Sequence, residues 1–245
     1  MSNENVMNVS EIFSSIQGEG PNIGRFSTFI RLYGCNLSCS WCDSKHAING
    51  KEFKVMSIEE IASEVYSQGL HSVVITGGEP TIYPNLIDLL IELVKNENIE
   101  NIEIETNGYN ICGLAEQIVE HNLWPFVSFD FNISPKEQTE QYYHNENNIL
   151  ELLSDPELQD VGHFNLKFVI EEKNIGANMD NVLSFLDEIM IDHVSNIYLM
   201  AEGFTQEDTV KNTKKLIQYV QEKELTDFLI APRLHTLLWG NERKK

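Results

Sequence analysis

Cys35, Cys39 and Cys42 fall within eight residues, as C-N-L-S-C-S-W-C, and the chain has one other cysteine, Cys112. Three thiolates at this spacing can converge on one inorganic centre and leave its fourth position open. Thiolate is the soft ligand that iron–sulfur clusters select, so the pattern points to a [4Fe–4S] cluster with one iron free for a further ligand. The residues alone also allow a zinc site completed by His46, since zinc takes four nitrogen or sulfur ligands. A disulfide is disfavoured. The polar N-terminus, Met1-Ser2-Asn3-Glu4-Asn5, lacks the basic-then-apolar order of a secretory leader, and intracellular thiols stay reduced. Cys112 reads as a small, buried or half-buried residue.

Thr76-Gly77-Gly78-Glu79-Pro80 is the second chemical signal. Paired glycines let a backbone approach a ligand closely and adopt conformations closed to other residues. The third is Arg31. Only four arginines occur, Arg25, Arg31, Arg233 and Arg243, and Arg31 sits in the apolar run Phe29-Ile30-Arg31-Leu32. A guanidinium there can grip an anionic ligand bidentately or serve as a structural ion pair.

These groups need a scaffold, and the chain supplies alternating strands and helices. Thr28 to Tyr33 reads as a strand ending just before the cysteine loop. Ser57-Ile58-Glu59-Glu60 has the form of a capping box, followed by Ile58, Ile61, Ala62 and Val65 at helical spacing and closed by Gly69. Val73-Val74-Ile75 has the continuous apolar character of a strand buried on both faces. A helix from Pro84 to Leu93, a strand over Ile102–Thr106, a helix over Leu114–Glu120 and a strand over Phe126–Phe131 continue the pattern. Leu166–Ile170 and Ile197–Met200 read as strands around a helix from Asn178 to Met190. Thr205 caps a helix to Lys223, and Phe228–Ile230 is the last strand. Repeated strand–helix units imply parallel strands with right-handed crossovers. The expectation is α/β: a partial (β/α) barrel of about six parallel strands, one domain over 1–245, with an insertion around 136–164 that holds only a weak helix around Asn148–Leu153.

Composition narrows the function. The 245 residues are 42% hydrophobic, enough to bury a substantial core. With 38 acidic and 17 basic residues the net charge is −21, a field that repels phosphate backbones and argues against nucleic acid. Apolar stretches such as Leu89-Leu90-Ile91 are interrupted by Asp88 and Glu92, which argues against a membrane span. A soluble, cytoplasmic protein acting on a small molecule is expected.

The CxxxCxxC and Gly-Gly-Glu motifs together resemble the radical S-adenosylmethionine (SAM) superfamily. A wider ordered set is similar to the 7-carboxy-7-deazaguanine synthase family over about Val9–Gly240: Ser15-Ile16-Gln17-Gly18-Glu19-Gly20, Arg31, Trp41-Cys42-Asp43-Ser44, Leu199-Met200-Ala201-Glu202-Gly203 and Pro232-Arg233-Leu234-His235-Thr236-Leu237-Leu238-Trp239-Gly240. Within the superfamily, a glycyl-radical activase is the rival resemblance. The synthase resemblance implies conversion of 6-carboxy-5,6,7,8-tetrahydropterin to 7-carboxy-7-deazaguanine with release of ammonia. It implies a [4Fe–4S] cluster, SAM and Mg2+ as cofactors, flavodoxin or ferredoxin as electron donor, and a homodimer. It assigns Gln17, Glu19, Arg31 and Thr76, with Ile16, Gly18 and His235, to the pterin. Trp41, Asp43, Gly77, Gly78, Glu79, Ser134, Pro135 and Lys136 go to SAM, and Ser44 goes to magnesium. Two positions depart from the family pattern: Ser44 replaces a threonine, keeping the hydroxyl oxygen a hard cation needs, and Ala201 replaces a proline.

Overall fold

The computed structural model describes residues 5–135, 139–155, 163–189, 194–240 and 242. Among these, nine strands form one sheet. They are β1 (Val6–Ile16), β2 (Phe26–Leu32), β3 (Lys54–Ser57), β4 (Ser72–Gly77), β5 (Asn101–Thr106), β6 (Val127–Ile133), β7 (His163–Ile170), β8 (Val194–Ala201) and β9 (Leu229–Ile230). The order is β3-β1-β2-β4-β5-β6-β7-β8-β9. The seven strands β2 and β4 to β9 run parallel, close to the six expected. β1 and β3 add an antiparallel edge that was not anticipated. The sheet is open, a partial barrel.

Helices α1 (Lys45–Asn49), α2 (Ile58–Ser67), α3 (Leu86–Val94), α4 (Ile111–Glu120), α5 (Glu140–Leu153), α6 (Ile175–Leu186), α7 (Gln206–Glu222) and α8 (Leu234–Trp239), with two short 3-10 helices at Pro80–Ile82 and Glu172–Asn174, complete the described elements. The capping box is present: Glu60 N donates to Ser57 Oγ at 3.2 Å and Ser57 N donates to Glu60 Oε2 at 2.8 Å. Thr205 likewise caps α7. Helix α3 begins after Asn85, two residues past Pro84; a proline tolerates the helix start but cannot supply an interior N–H. The segment expected as an insertion carries the 14-residue α5, which is the crossover between the parallel neighbours β6 and β7. Its mixed polar sequence, Glu-Gln-Tyr-Tyr-His-Asn-Glu-Asn-Asn, hides the helical periodicity.

Strand alternation decides what faces the site. Ile102 and Ile104, Phe129 and Phe131, and Leu166 and Phe168 pack into the helix-covered core. The residues between them therefore project onto the concave face: Glu103 and Glu105 on β5, Asp130 on β6, and Asn165 and Lys167 on β7. On β1 and β2 the same face carries Glu11, Phe13, Phe29 and Arg31, with Phe13 stacked on Phe29 at 5.2 Å between centroids. No described helix is long and apolar enough to cross a membrane.

Candidate active site

Cys35, Cys39 and Cys42 line the same pocket as Gly77, Gly78 and Glu79, and that pocket opens over the concave face. The cysteine loop is anchored by Gly34, at φ +100°, whose carbonyl accepts from Glu79 N at 2.8 Å and whose N–H donates to Ala47 O at 2.8 Å. Gly77 and Gly78 have no room for a side chain: an added Cβ would fall 2.2 Å from Leu32 O and 1.8 Å from Gly34 O. The glycines thus let the end of β4 press against the cysteine loop.

The four cysteines form no disulfide. Cys35 Sγ accepts from Leu37 N at 3.4 Å and from Asn107 Nδ2 at 3.8 Å. Burial pushes its thiol up to about 12, so a thiolate there needs a cationic partner, and a metal cluster is one. The donor set fits a cluster held by three cysteines. His46, the alternative zinc ligand, instead directs Nε2 to Glu11 Oε1 at 3.2 Å. Cys112 is half-buried, as expected, with Sγ donating to Asn148 O at 3.3 Å.

Glu79 is buried and held by four donors. Oε1 accepts from Thr81 N, Thr81 Oγ1 and Thr106 Oγ1 at 3.0, 2.7 and 2.6 Å, while Oε2 accepts from Asn107 N at 2.7 Å. Burial raises its pKa, against the lowering effect of these bonds. Oε2 keeps lone-pair capacity for an ammonium group, which suits the SAM assignment. Ser134 has an equally suggestive chemistry but a different place. It is buried with an unpartnered Oγ among the described residues, yet neither it nor Pro135 lines the pocket, where Asn132 stands instead. Ser134 N donates to Tyr142 Oη at 2.5 Å, and Pro135 borders an outer crevice between α5 and α6. Lys136 lies outside the described residues.

The residues expected at the substrate all line the pocket: Ile16, Gln17, Gly18, Glu19, Arg31, Thr76 and His235. Several are already engaged. Arg31 donates from Nε to Glu11 Oε1 at 2.9 Å and from Nη1 to Ser44 Oγ at 2.7 Å, so two of its five N–H groups are committed within the protein. The ion-pair reading of Arg31 holds, and the guanidinium also lines the pocket. Thr76 donates to Glu105 Oε2 at 2.7 Å. Gln17 Nε2 donates to Glu103 Oε1 and, at 3.2 Å, to Glu105 Oε1, and Gln17 Oε1 accepts from Glu19 N at 3.2 Å. Thr76 and Gln17 thus orient neighbouring carboxylates.

The C-terminal motif closes the same pocket. Leu234 N donates to Gly18 O at 2.9 Å, and a Cβ on Gly18 would meet His235 Nδ1 at 2.2 Å. Arg233 is almost wholly buried, with Nε 3.3 Å from Glu19 Oε1 and Nη2 3.6 Å from Asp43 Oδ2. Its guanidinium lies 5.9 Å from the centre of the Trp41 ring. Asp43 also meets His235 Nε2 at 3.3 Å. Burial works to raise the Asp43 pKa, but Arg233 and then the His235 hydrogen bond outweigh it and hold the carboxyl far below its usual range. Glu19, Asp43 and His235 offer ligand atoms within 4.8 Å of one another. Arg233 sits against two of the three and supplies the positive charge there. Asp43 Oδ1 accepts from Ser44 Oγ at 3.0 Å.

Sequence reasoning missed Glu11 and Glu105 as site residues, and missed Glu103, Asp130 and Lys167 behind the pocket. Charged residues inside strands that are otherwise apolar, as in Ile102-Glu103-Ile104-Glu105 and Leu166-Lys167-Phe168, were the available signal.

The fold and cysteine loop define a radical SAM enzyme: the Radical SAM superfamily pattern matches residues 29–153. The 7-carboxy-7-deazaguanine synthase of Bacillus subtilis is 31% identical over 261 residues, covering 96% of this chain and 97% of its own. That of Clostridium acetobutylicum is 28% identical over 240 residues, with 96% and 97% covered. The crystal structure of QueE from Escherichia coli aligns with a TM-score of 0.65 at 20% identity, over 94% of this chain and 95% of that one. The chain belongs to the 7-carboxy-7-deazaguanine synthase family.

Proposed function

We propose that the chain converts 6-carboxy-5,6,7,8-tetrahydropterin to 7-carboxy-7-deazaguanine and ammonia, a step of 7-deazapurine biosynthesis. The observation that carries this reading is the meeting of three separate sequence motifs in one pocket. The cysteine loop, the S-I-Q-G-E-G loop and the C-terminal motif around Arg233 and His235 all line it. Cys35, Cys39 and Cys42 would hold the [4Fe–4S] cluster, with Gly77, Gly78, Glu79, Trp41 and Asp43 around SAM. Ser134, Pro135 and Lys136 complete the SAM assignment, though two of these stand away from the lining. When bound, the cluster and SAM supply a carbon-centred radical able to take hydrogen from an unactivated position.

The protein's own part is recognition and exclusion of water. Arg31 faces the pocket with donors to spare and takes the substrate carboxylate. Glu105, whose carboxylate is oriented by Thr76 and Gln17, accepts from the N–H groups of the amino-pyrimidinone ring, with Glu19 on the other wall. Ser44 offers its oxygen to Mg2+ beside the Asp43 carboxylate, the hard donor set that this ion prefers. We further infer a cytoplasmic homodimer reduced by a flavodoxin or ferredoxin. An anaerobic assay with SAM, dithionite, Mg2+ and carboxytetrahydropterin tests the activity. Formation of 7-carboxy-7-deazaguanine is expected, and SAM cleavage with no conversion of the pterin would overturn the reading.

A further inference from the structure

Lys167 is a lysine with a fully buried side chain on the concave face of β7, and it lies behind the pocket lining. Its Nζ stands 3.3 Å from Glu105 Oε1, 3.4 Å from Glu19 Oε2 and 3.6 Å from Asp130 Oδ2. Glu105 and Glu19 belong to the pocket lining, on β5 and on the loop after β1. Asp130 lies beneath them and is itself fixed. Its Oδ1 accepts from Asn165 Nδ2 at 3.0 Å, and Asn165 Oδ1 accepts from Asn196 Nδ2 at 2.8 Å. An ammonium taken out of water persists only where carboxylates compensate its lost hydration. A single carboxylate would neutralise it. Here three converge, and two of them open onto the site from different elements.

We propose that Lys167 is a positioning residue of the substrate site, holding the Glu19 and Glu105 carboxylates in the arrangement that accepts hydrogen bonds from the amino-pyrimidinone edge of the pterin. The proposal rests on the pterin reading above. It explains why a lysine occupies the middle of Leu166-Lys167-Phe168, where its neighbours fill the core.

The charges around Glu105 give the proposal a pH signature. Lys167 faces it from β7, and Thr76 on β4 and Gln17 in the loop after β1 donate to it. Arg31 on β2 adds positive field, whereas Glu103 on β5 and Asp130 on β6 oppose its ionisation. Burial works to raise the Glu105 pKa, but the Lys167 ammonium, foremost of the lowering influences, brings it below the usual range. Lys167 in turn is surrounded by Glu105, Glu19, Asp130 and Glu103, with Tyr198 on β8 nearby. Without the ammonium, the Glu105 carboxyl rises and becomes charged only as pH increases.

The test is Lys167→Met in the cluster-loaded enzyme, with Glu105→Gln and the double variant beside it. Iron and sulfide content and SAM binding, measured by titration, should match the parent. The KM for the pterin should rise about 30-fold or more at neutral pH, the usual effect of leaving one member of a buried charge pair alone, while kcat changes less. The ratio of variant to parent KM should shrink as pH is raised. In the Glu105→Gln background, Lys167→Met should cost less than it does alone, because one of the two pocket carboxylates it holds is already neutral. If the single variant fails to accumulate folded but the double variant does, the same coupling has been read in stability. An unchanged KM, a pH-independent defect, additive effects in the double variant, or failure of both to fold would overturn the proposal. A parent enzyme that cleaves SAM yet ignores the pterin would overturn the pterin reading itself.

Discussion

The two walls of the pocket are built on different plans. The cysteine wall comes from consecutive residues: one loop, 35–42, and one strand-to-helix turn, 77–79, joined by backbone contacts at Gly34 and Gly78. The substrate wall comes from single side chains on many strands, with Arg31, Thr76 and Glu105 on three neighbouring strands and Lys167 behind them. A centre that needs several ligands on one cluster can be served by one loop. A flat, many-donor substrate needs groups around its perimeter, and only a curved sheet brings those together. The first plan fails all at once when a ligand is lost, and the second fails by degrees.

The largest effect therefore belongs to the loop. Changing Cys35, Cys39 or Cys42 to alanine should abolish iron binding and SAM cleavage. Cys112→Ala should do neither, since its thiol meets a backbone carbonyl on α5. Iron analysis with a SAM-cleavage assay checks both, and a triad variant with a full cluster and normal turnover would remove the distinction between the walls.

Arg31 comes next. Its fork is tied to Glu11 and Ser44 before substrate arrives, so it is preorganised, and lysine reproduces neither the planar shape nor the two simultaneous bonds. Arg31→Ala or Arg31→Lys should weaken pterin use by roughly 30-fold, at ~1.4 kcal/mol per tenfold. Cluster content should survive. Turnover against pterin concentration, with iron measured in each variant, is the check. Normal turnover would mean that Arg233 or Lys136 takes the carboxylate.

The same contrast explains what could be read from the sequence. Contiguous motifs, the cap at Ser57 and the runs of buried strand are local and were visible. The antiparallel strand β1 was not, because Val-Ser-Glu-Ile-Phe-Ser-Ser departs from two-residue alternation, and the structure places a register shift between Val9 and Glu11. Helix α5 was only partly visible, since its apolar positions are few. The roles of Thr76 and Gln17 as holders of Glu105 depend on side chains from the loop after β1, from β4 and from β5 meeting, a fact of sheet order that no local pattern carries. Glycines 77 and 78 were recognised, but what demands them here is contact with β2 and the cysteine loop.

Ser44 joins the two walls, for its hydroxyl accepts from Arg31 and donates to Asp43. Ser44→Ala should raise the Mg2+ concentration needed for half-maximal turnover by about tenfold, a size that even outer partners of metal ligands reach. SAM binding should be affected much less. Turnover against Mg2+ concentration checks this, and an identical Mg2+ dependence in variant and parent would put the ion elsewhere in the pocket.

The smallest effect on turnover is expected at Glu103, and it separates charge that the site uses from charge that the fold merely tolerates. Glu103 lies behind the pocket, where Oε2 accepts from Asn22 Nδ2 at 2.7 Å. Burial, with Asp130 and Glu105 adding to it, pushes its pKa well above the ordinary value of 4.5. Adjacent Glu105 is driven the opposite way, and two neighbouring carboxyls with separated pKa values mark different duties. An acid whose pKa is raised on folding stabilises the protein fully below its unfolded value, and that contribution is lost as pH climbs through the folded one. Glu103→Gln imitates the neutral acid and cannot titrate. Its melting temperature relative to the parent should therefore climb as pH rises above about 4.5, while turnover on the pterin changes less than in the cysteine-triad, Arg31 or Ser44 variants. Melting curves for both proteins across the acid and neutral range measure it. A melting difference that stays constant with pH would show that Glu103 is ionised in the folded protein, making it part of the charge that the substrate wall depends on.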